Sequence, residues 1–172
     1  LLASCQMDSQ TGIRDYAMIC VLFDTGVRTG ELLSMAVPNW NSKLIKVDGK
    51  TGVRYVPVGS RTLQSLVRYM RRWDISEAPL WRGKYGPLTS SGVLQIIKRK
   101  CFKYDIPYKG VHAFRRASTA QMKRIGMNDS DIMEIMGWTD VTMLRRYVSK
   151  VSLELAQIAH GKFSPVDSCS KS

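Results

Sequence analysis

Apolar residues recur at three- and four-residue spacing through most of this chain and switch to two-residue alternation at one place, between Leu44 and Val58. The first period is that of a helix with a buried face, the second that of a half-buried strand. The pattern therefore predicts a mainly α fold with one small antiparallel β-sheet, an α+β class. Thr11 to Val27 reads as a largely buried helix through Ile13, Tyr16, Ala17, Cys20 and Phe23. Asp24-Thr25-Gly26 breaks it, and Thr29 is placed to cap a short helix, GELLSM. Pro38 and Asn41 mark a loop. Leu44–Val47 and Val53–Val58 alternate like strands, and Asp48-Gly49-Lys50-Thr51-Gly52 joins them as a hairpin with Lys50 at its tip. Ser60–Trp73 reads as a helix with Leu63, Leu66, Val67 and Met70 inward and four arginines outward. A loop with Pro79, Gly83, Gly86 and Pro87 leads to a helix capped by Thr89 or Ser90, which carries Val93, Leu94, Ile96 and Ile97 into the basic run KRKCFK.

The stretch Gly110–Lys150 divides into three helices at its glycines. In the first, Val111, Phe114, Ser118, Met122 and Ile125 form an apolar stripe, with His112 and Arg115 stacked at its border by their three-residue spacing. Gly126 ends it. Asn128, Asp129 and Ser130 can cap a second helix bearing Ile132, Met133, Ile135 and Met136, which Gly137 ends. Trp138 follows at the turn, and Thr139 can cap a third helix in which Met143, Leu144, Tyr147 and Val148 share a side. Ser152–His160 reads as a further amphipathic helix through Leu153, Leu155, Ala156 and Ile158. Residues 161–172 are small and polar, a flexible tail expected to fray.

The 172 residues suit one domain, taken here as 1–160. A net charge of +12, from 26 Lys and Arg against 14 Asp and Glu, favours a polyanionic partner. No window approaches the roughly 20 apolar residues of a membrane span, so no membrane partner is expected. Cys5, Cys20, Cys101 and Cys169 match no metal-ligand spacing, and an intracellular, reducing compartment follows as the default. The opening LLASCQMDSQ carries no initiating Met and reads as a chain entered partway, with a domain expected upstream.

Singly, the polar residues of interest have bland readings. Lys50 in a Gly-Lys-Thr-Gly turn reads as solvated, His112 as a satisfied core histidine, and Trp138 and Tyr147 as packing. Glu31, three residues after Arg28, is either a first-turn helix stabiliser or an orienting partner for that arginine. Arg61, Arg68, Arg71, Arg72, Lys98, Arg99, Lys100 and Lys103 are either solvated faces or phosphate contacts.

Taken together and in order, Arg28, Lys50, His112, Arg115, Trp138 and Tyr147 resemble the active-site set of the tyrosine recombinase (phage integrase) family. TGVRTGELLSM resembles the family's first arginine motif, GKTGVRYVPV its lysine-bearing hairpin, HAFRR its His-x-x-Arg box, and IMGWTDVTMLRRY the segment leading to its nucleophilic tyrosine. Trp138 stands where most members carry histidine. The resemblance implies the family's catalytic-domain fold, a double-stranded DNA partner, a homotetramer on DNA, no cofactor, and a cytoplasmic, nucleoid-associated protein encoded by a bacterium, an archaeon or a phage. It also implies an N-terminal DNA-clamping domain that these residues do not contain.

The chemistry implied is attack of Tyr147 on a phosphodiester, with negative charge building on the non-bridging oxygens. Arg28 and Arg115 would neutralise it as planar bidentate donors, and Trp138 would add one indole N–H. His112 is the natural acceptor of the Tyr147 proton. Lys50 either protonates the leaving 5′ oxygen or clamps a phosphate. The product, a 3′-phosphotyrosine, keeps the bond energy for resealing by another strand. A type IB topoisomerase-like nicking and closing enzyme and a non-catalytic basic DNA-binding domain are the alternatives.

Overall fold

The computed structural model describes residues 1–37, 43–50, 52–149 and 152–169. The expected loop at Pro38 and Asn41 lies outside them, as does Thr51 of the hairpin turn. A short 3₁₀ turn, Leu2–Ser4, precedes helix α1, Gln10–Thr25, around which the rest is arranged. Ser9 caps α1 by accepting from the Gly12 N–H at 3.0 Å. Ala17, Met18, Val21 and Leu22 have no exposed surface, so α1 is covered on nearly all sides. Met18, Val21 and Leu22 each contribute about 1.5–3 kcal/mol by leaving water, and Ala17 less. Phe23, expected inward, is 40% exposed.

Helix α2, Thr29–Leu33, follows directly, and the two strands β1, Leu44–Gly49, and β2, Gly52–Pro57, then pair antiparallel with Gly49 opposite Gly52 at the turn. Ile45, Val47 and Val56 face the core, which is the alternation read from the sequence. Helix α3, Ser60–Trp73, runs back along α1: the Gly59 N–H reaches Asp24 at one end, and the Trp73 indole reaches the Gln10 carbonyl at the other. The loop expected after α3 instead contains a two-residue hairpin, β3, Arg82–Gly83, with β4, Gly86–Pro87. Tyr69 and Trp81 stack beneath it at 5.2 Å, and the Tyr69 hydroxyl donates to the Leu80 carbonyl and accepts from the Arg82 N–H. Helix α4, Ser90–Lys103, is capped by Thr89 and fastened to α1 by Lys100, whose Nζ lies 3.2 Å from Asp15, itself paired with Arg14. Leu94 of α4 is 40% exposed and contributes little to the core.

Helices α5, His112–Arg124, α6, Asp129–Met136, and α7, Val141–Val148, form the remainder of the body. Three expectations here are corrected. Arg28 rather than Thr29 is the N-cap of α2, with the Leu32 N–H on its carbonyl. Asp140 rather than Thr139 caps α7, accepting from the Thr142 N–H at 2.8 Å; a carboxylate one residue later closes the turn better than the hydroxyl. Ile125 at the end of the apolar stripe of α5 is 68% exposed, because the helix has already ended at Arg124. Met122, Ile132, Met136, Trp138 and Leu144 make a second small core beside the main one. Helix α8, Ser152–Phe163, buries none of its residues fully, Leu155 being half-buried, and Arg124–Glu154 ties it to α5. Residues 165–169 form one more short helix, α9, Pro165–Cys169, where an irregular tail was expected.

Candidate active site

Helix α1 ends at Gly26 in a left-handed turn, φ 61°, where a side chain would collide with the Met136 thioether. The chain therefore leaves α1 tightly against the end of α6. Into that junction α5 sends Arg115, which is 2% exposed. One guanidinium nitrogen donates to the Gly26 carbonyl at 2.7 Å and the other terminal nitrogen donates to the Met136 carbonyl. The two oxygens are orphan acceptors at helix ends, which a fixed cation satisfies well. Arg115 thus fastens α5 to the C-termini of both α1 and α6.

The plane of Arg115 lies over the Trp138 ring, 4.9 Å from its centroid, and the other ring partner of Trp138 is Tyr147 at 4.8 Å with a 39° tilt. Arginine, tryptophan and tyrosine form one column. Burial, then the nearby charge of Arg28, push Arg115 down to about 10, while Glu31 and Tyr147 act the other way. It is still a cation at neutral pH. The Trp138 N–H is buried and has no hydrogen-bond partner among the described residues, an unmet donor beside a cation.

Arg28 starts α2 and is held by Glu31. The Glu31 carboxylate accepts the Arg28 backbone N–H at 2.7 Å and lies 3.4 Å from its guanidinium. Both readings of Glu31 from the sequence are therefore true at once. Glu31 is 1% exposed, and Arg54 of β2 supplies its main counter-charge through Nε at 3.0 Å and a terminal nitrogen at 3.2 Å. Burial raises the Glu31 carboxyl, but Arg54 and the Arg28 N–H outweigh it and leave it below the ordinary carboxylate value. The Arg28 side chain is 36% exposed, so its donors have room for a further acceptor.

The structure thus brings together four of the six expected residues, Arg28, Arg115, Trp138 and Tyr147. His112 lies one turn before Arg115 on α5, exposed, and Lys50 lies exposed at the tip of the β1–β2 hairpin. Neither makes a side-chain hydrogen bond, ion pair or ring contact among the described residues. Sequence reasoning missed Arg54. Its signal was present: Arg54 shares a strand face with Val56, which is wholly buried, and an arginine on the inward face of a strand requires a buried acid.

The sequence matches the phage integrase family over residues 1–153. The chain belongs to that family. It is 30% identical over 167 residues to the integrase/recombinase-like protein y4rA of Sinorhizobium fredii, covering 90% of this chain and 40% of that protein. It is 27% identical over 165 residues to the tyrosine recombinase XerC of Pelobacter propionicus, covering 90% of this chain and 53% of that one. The chain therefore spans about half the length of these relatives. Among solved structures it resembles the XerA recombinase, with a TM-score of 0.79 and 20% identity over 94% of this chain and 58% of that one. It also resembles the Tn1549 transposon integrase in complex with circular intermediate DNA, with a TM-score of 0.75 and 20% identity over 94% and 63%. The fold of the phage integrase family is the mainly helical, small-sheet fold expected from the sequence. No helix of the described residues is long and apolar enough to cross a membrane.

Proposed function

We propose that this chain is the catalytic domain of a site-specific DNA recombinase, cleaving and rejoining strands through Tyr147. The observation that carries the reading is the column in which buried Arg115 and Trp138 meet the half-buried Tyr147, with the held but open Arg28 beside it. Such a column holds a fixed cation and an unmet N–H next to a phenol, which suits a reaction that builds charge on phosphate oxygens. Arg28 and Arg115 would take the non-bridging oxygens, and the Trp138 N–H would find there the acceptor it lacks.

In the step proposed, the Tyr147 oxygen attacks phosphorus, its proton passes to His112, and the bond from phosphorus to the 5′ oxygen breaks. Lys50 gives that oxygen a proton. The 3′-phosphotyrosine is then attacked by a 5′ hydroxyl of another strand, which restores the phosphodiester and frees Tyr147. The +12 charge supports a double-stranded DNA partner held largely through phosphates. A homotetramer on DNA, a DNA-clamping domain upstream of residue 1, and a cytoplasmic setting complete the reading.

The test is incubation with a nicked duplex followed by denaturing electrophoresis. The wild-type chain is expected to form a covalent adduct, and Tyr147→Phe to bind DNA equally and form none. An adduct that persists in Tyr147→Phe moves the nucleophile to another tyrosine, and binding without any adduct in the wild type leaves a DNA-binding domain. Joining of strands between two duplexes separates a recombinase from a topoisomerase-like enzyme.

A further inference from the structure

Arg54 is absorbed by none of the roles above, yet its guanidinium makes three hydrogen bonds that join β2 to α2 and α6. Its Nε and one terminal nitrogen take both oxygens of Glu31, at 3.0 and 3.2 Å, and its other terminal nitrogen donates to the Ile135 carbonyl. Ile135 and Met136 are consecutive, so the last turn of α6 gives one carbonyl to Arg54 and the next to Arg115. Gly137 follows in a left-handed turn, φ 62°, and a Cβ there would stand 3.1 Å from the Arg54 side chain. The turn that aims Trp138 is therefore moulded on Arg54. At the other end of the same guanidinium, Glu31 holds Arg28 by backbone and side chain.

We infer that Arg54 is a positioning residue for the reaction: through Glu31 it sets Arg28, and through the Ile135 carbonyl it sets the turn carrying Trp138 toward Tyr147. This inference rests on the reading that Arg28 and Tyr147 act on a phosphodiester. Arg54 touches no reacting atom itself. Being on β2, it also ties the hairpin that presents Lys50 to the two helix ends that make the charged pocket. Its planar fork is what allows three acceptors to be held at fixed angles, and an ammonium cannot reproduce that.

The experiment compares wild type, Arg54→Gln, Arg54→Lys and Arg28→Ala on two nicked duplexes. One carries an ordinary scissile phosphate and the other a methylphosphonate, in which a methyl group replaces a charged non-bridging oxygen. Covalent adduct formation and melting temperature are followed for each. A residue acting through Arg28 matters while there is charge to neutralise. Arg54→Gln is expected to slow cleavage of the ordinary substrate by about 10²-fold, the scale of a misplaced catalytic group. Most of that deficit should vanish on the methylphosphonate, as for Arg28→Ala, and Arg54→Gln added to Arg28→Ala should cost little more. Arg54→Lys, which keeps the charge and a folded chain, should show the same substrate dependence in weaker form. The inference is overturned if both Arg54 variants cleave at the wild-type rate, or if they are slowed equally on the two substrates while their melting temperatures fall, which is the mark of a structural role. Absence of adduct from the wild type on the ordinary substrate would instead sink the underlying reading, and the inference with it.

Discussion

Arg115 and His112 stand one turn apart on the same helix and live in opposite surroundings. Arg115 is sealed between two helix ends and an indole, with both terminal nitrogens bonded to backbone carbonyls, while His112 is exposed and has no side-chain partner among the described residues. The β1–β2 hairpin repeats the contrast, with Arg54 fixed to Glu31 and α6 and Lys50 exposed at the tip. Each element carries one residue built into the fold and one left to solvent. The difference follows from what the groups are expected to do. A cation that stabilises a transition state is worth most when its position is set before the substrate arrives. A group that passes a proton changes charge at each step, and exposure keeps both of its forms solvated. On the proposed reading, the charge-neutralising half of the site is a structural part of the domain, and the proton-transfer half is an attachment to it.

That contrast can be broken by asking which variants lose stability together with activity. Arg115→Ala should have the largest effect. It removes a cation proposed to bind the scissile phosphate, expected to cost about 10²–10³-fold in cleavage. It also strands the Gly26 and Met136 carbonyls, at about 1–3 kcal/mol each. Both the adduct assay and thermal unfolding should register it, and an unchanged melting temperature would contradict the structural half of the comparison. Lys50→Ala and His112→Ala should come next, each lowering cleavage by about 10²-fold or more while leaving unfolding unchanged, because neither side chain holds anything in place.

Trp138→Phe sharpens the comparison within the column. The ring remains to pack between Arg115 and Tyr147, but the unmet N–H is gone. Since one hydrogen bond to a charged acceptor is worth about 1.5–3 kcal/mol, the rate should fall about 10- to 10²-fold with little change in stability. A loss of stability with no loss of rate would make Trp138 core filling alone. The smallest effect is in pH. Glu31 sits below the ordinary carboxylate value when folded, so its contribution to stability is present above that value and is lost as pH falls through the lowered one. Acid unfolding curves of wild type and Glu31→Gln should therefore converge as the pH drops below the carboxylate range, and curves that stay parallel would show that Glu31 is not the group concerned.

Much of this was legible in the sequence, for physical reasons that differ by residue. Ser60–Trp73 was readable to the residue because its apolar and basic faces are cleanly divided. Gly26 and Gly137 announced helix ends that are left-handed in the structure. The column of Arg115, Trp138 and Tyr147 was reachable through motif order, but its stacking was not, since no periodicity says which ring lies on which cation. Arg54 was passed over because a basic residue in a hairpin is ordinarily solvated, although the inward strand face it shares with Val56 pointed to the buried Glu31. The amphipathic helix read over Ser152–His160 is present as α8, but spacing alone does not say which surface covers its apolar side.

The division between a built-in charge half and an open proton half is tested most directly by changing the leaving group. A duplex with sulfur in place of the bridging 5′ oxygen releases a thiolate, which is far less basic than an alkoxide and needs little proton donation. Adduct formation by Lys50→Ala, Arg28→Ala and Arg115→Ala would be timed on this and on the ordinary duplex. Lys50→Ala should be slow on oxygen and recover much of its rate on sulfur, while both arginine variants stay slow on either, because the charge on the non-bridging oxygens is the same. Equal impairment of Lys50→Ala on the two substrates would contradict the account and make Lys50 one more charge clamp.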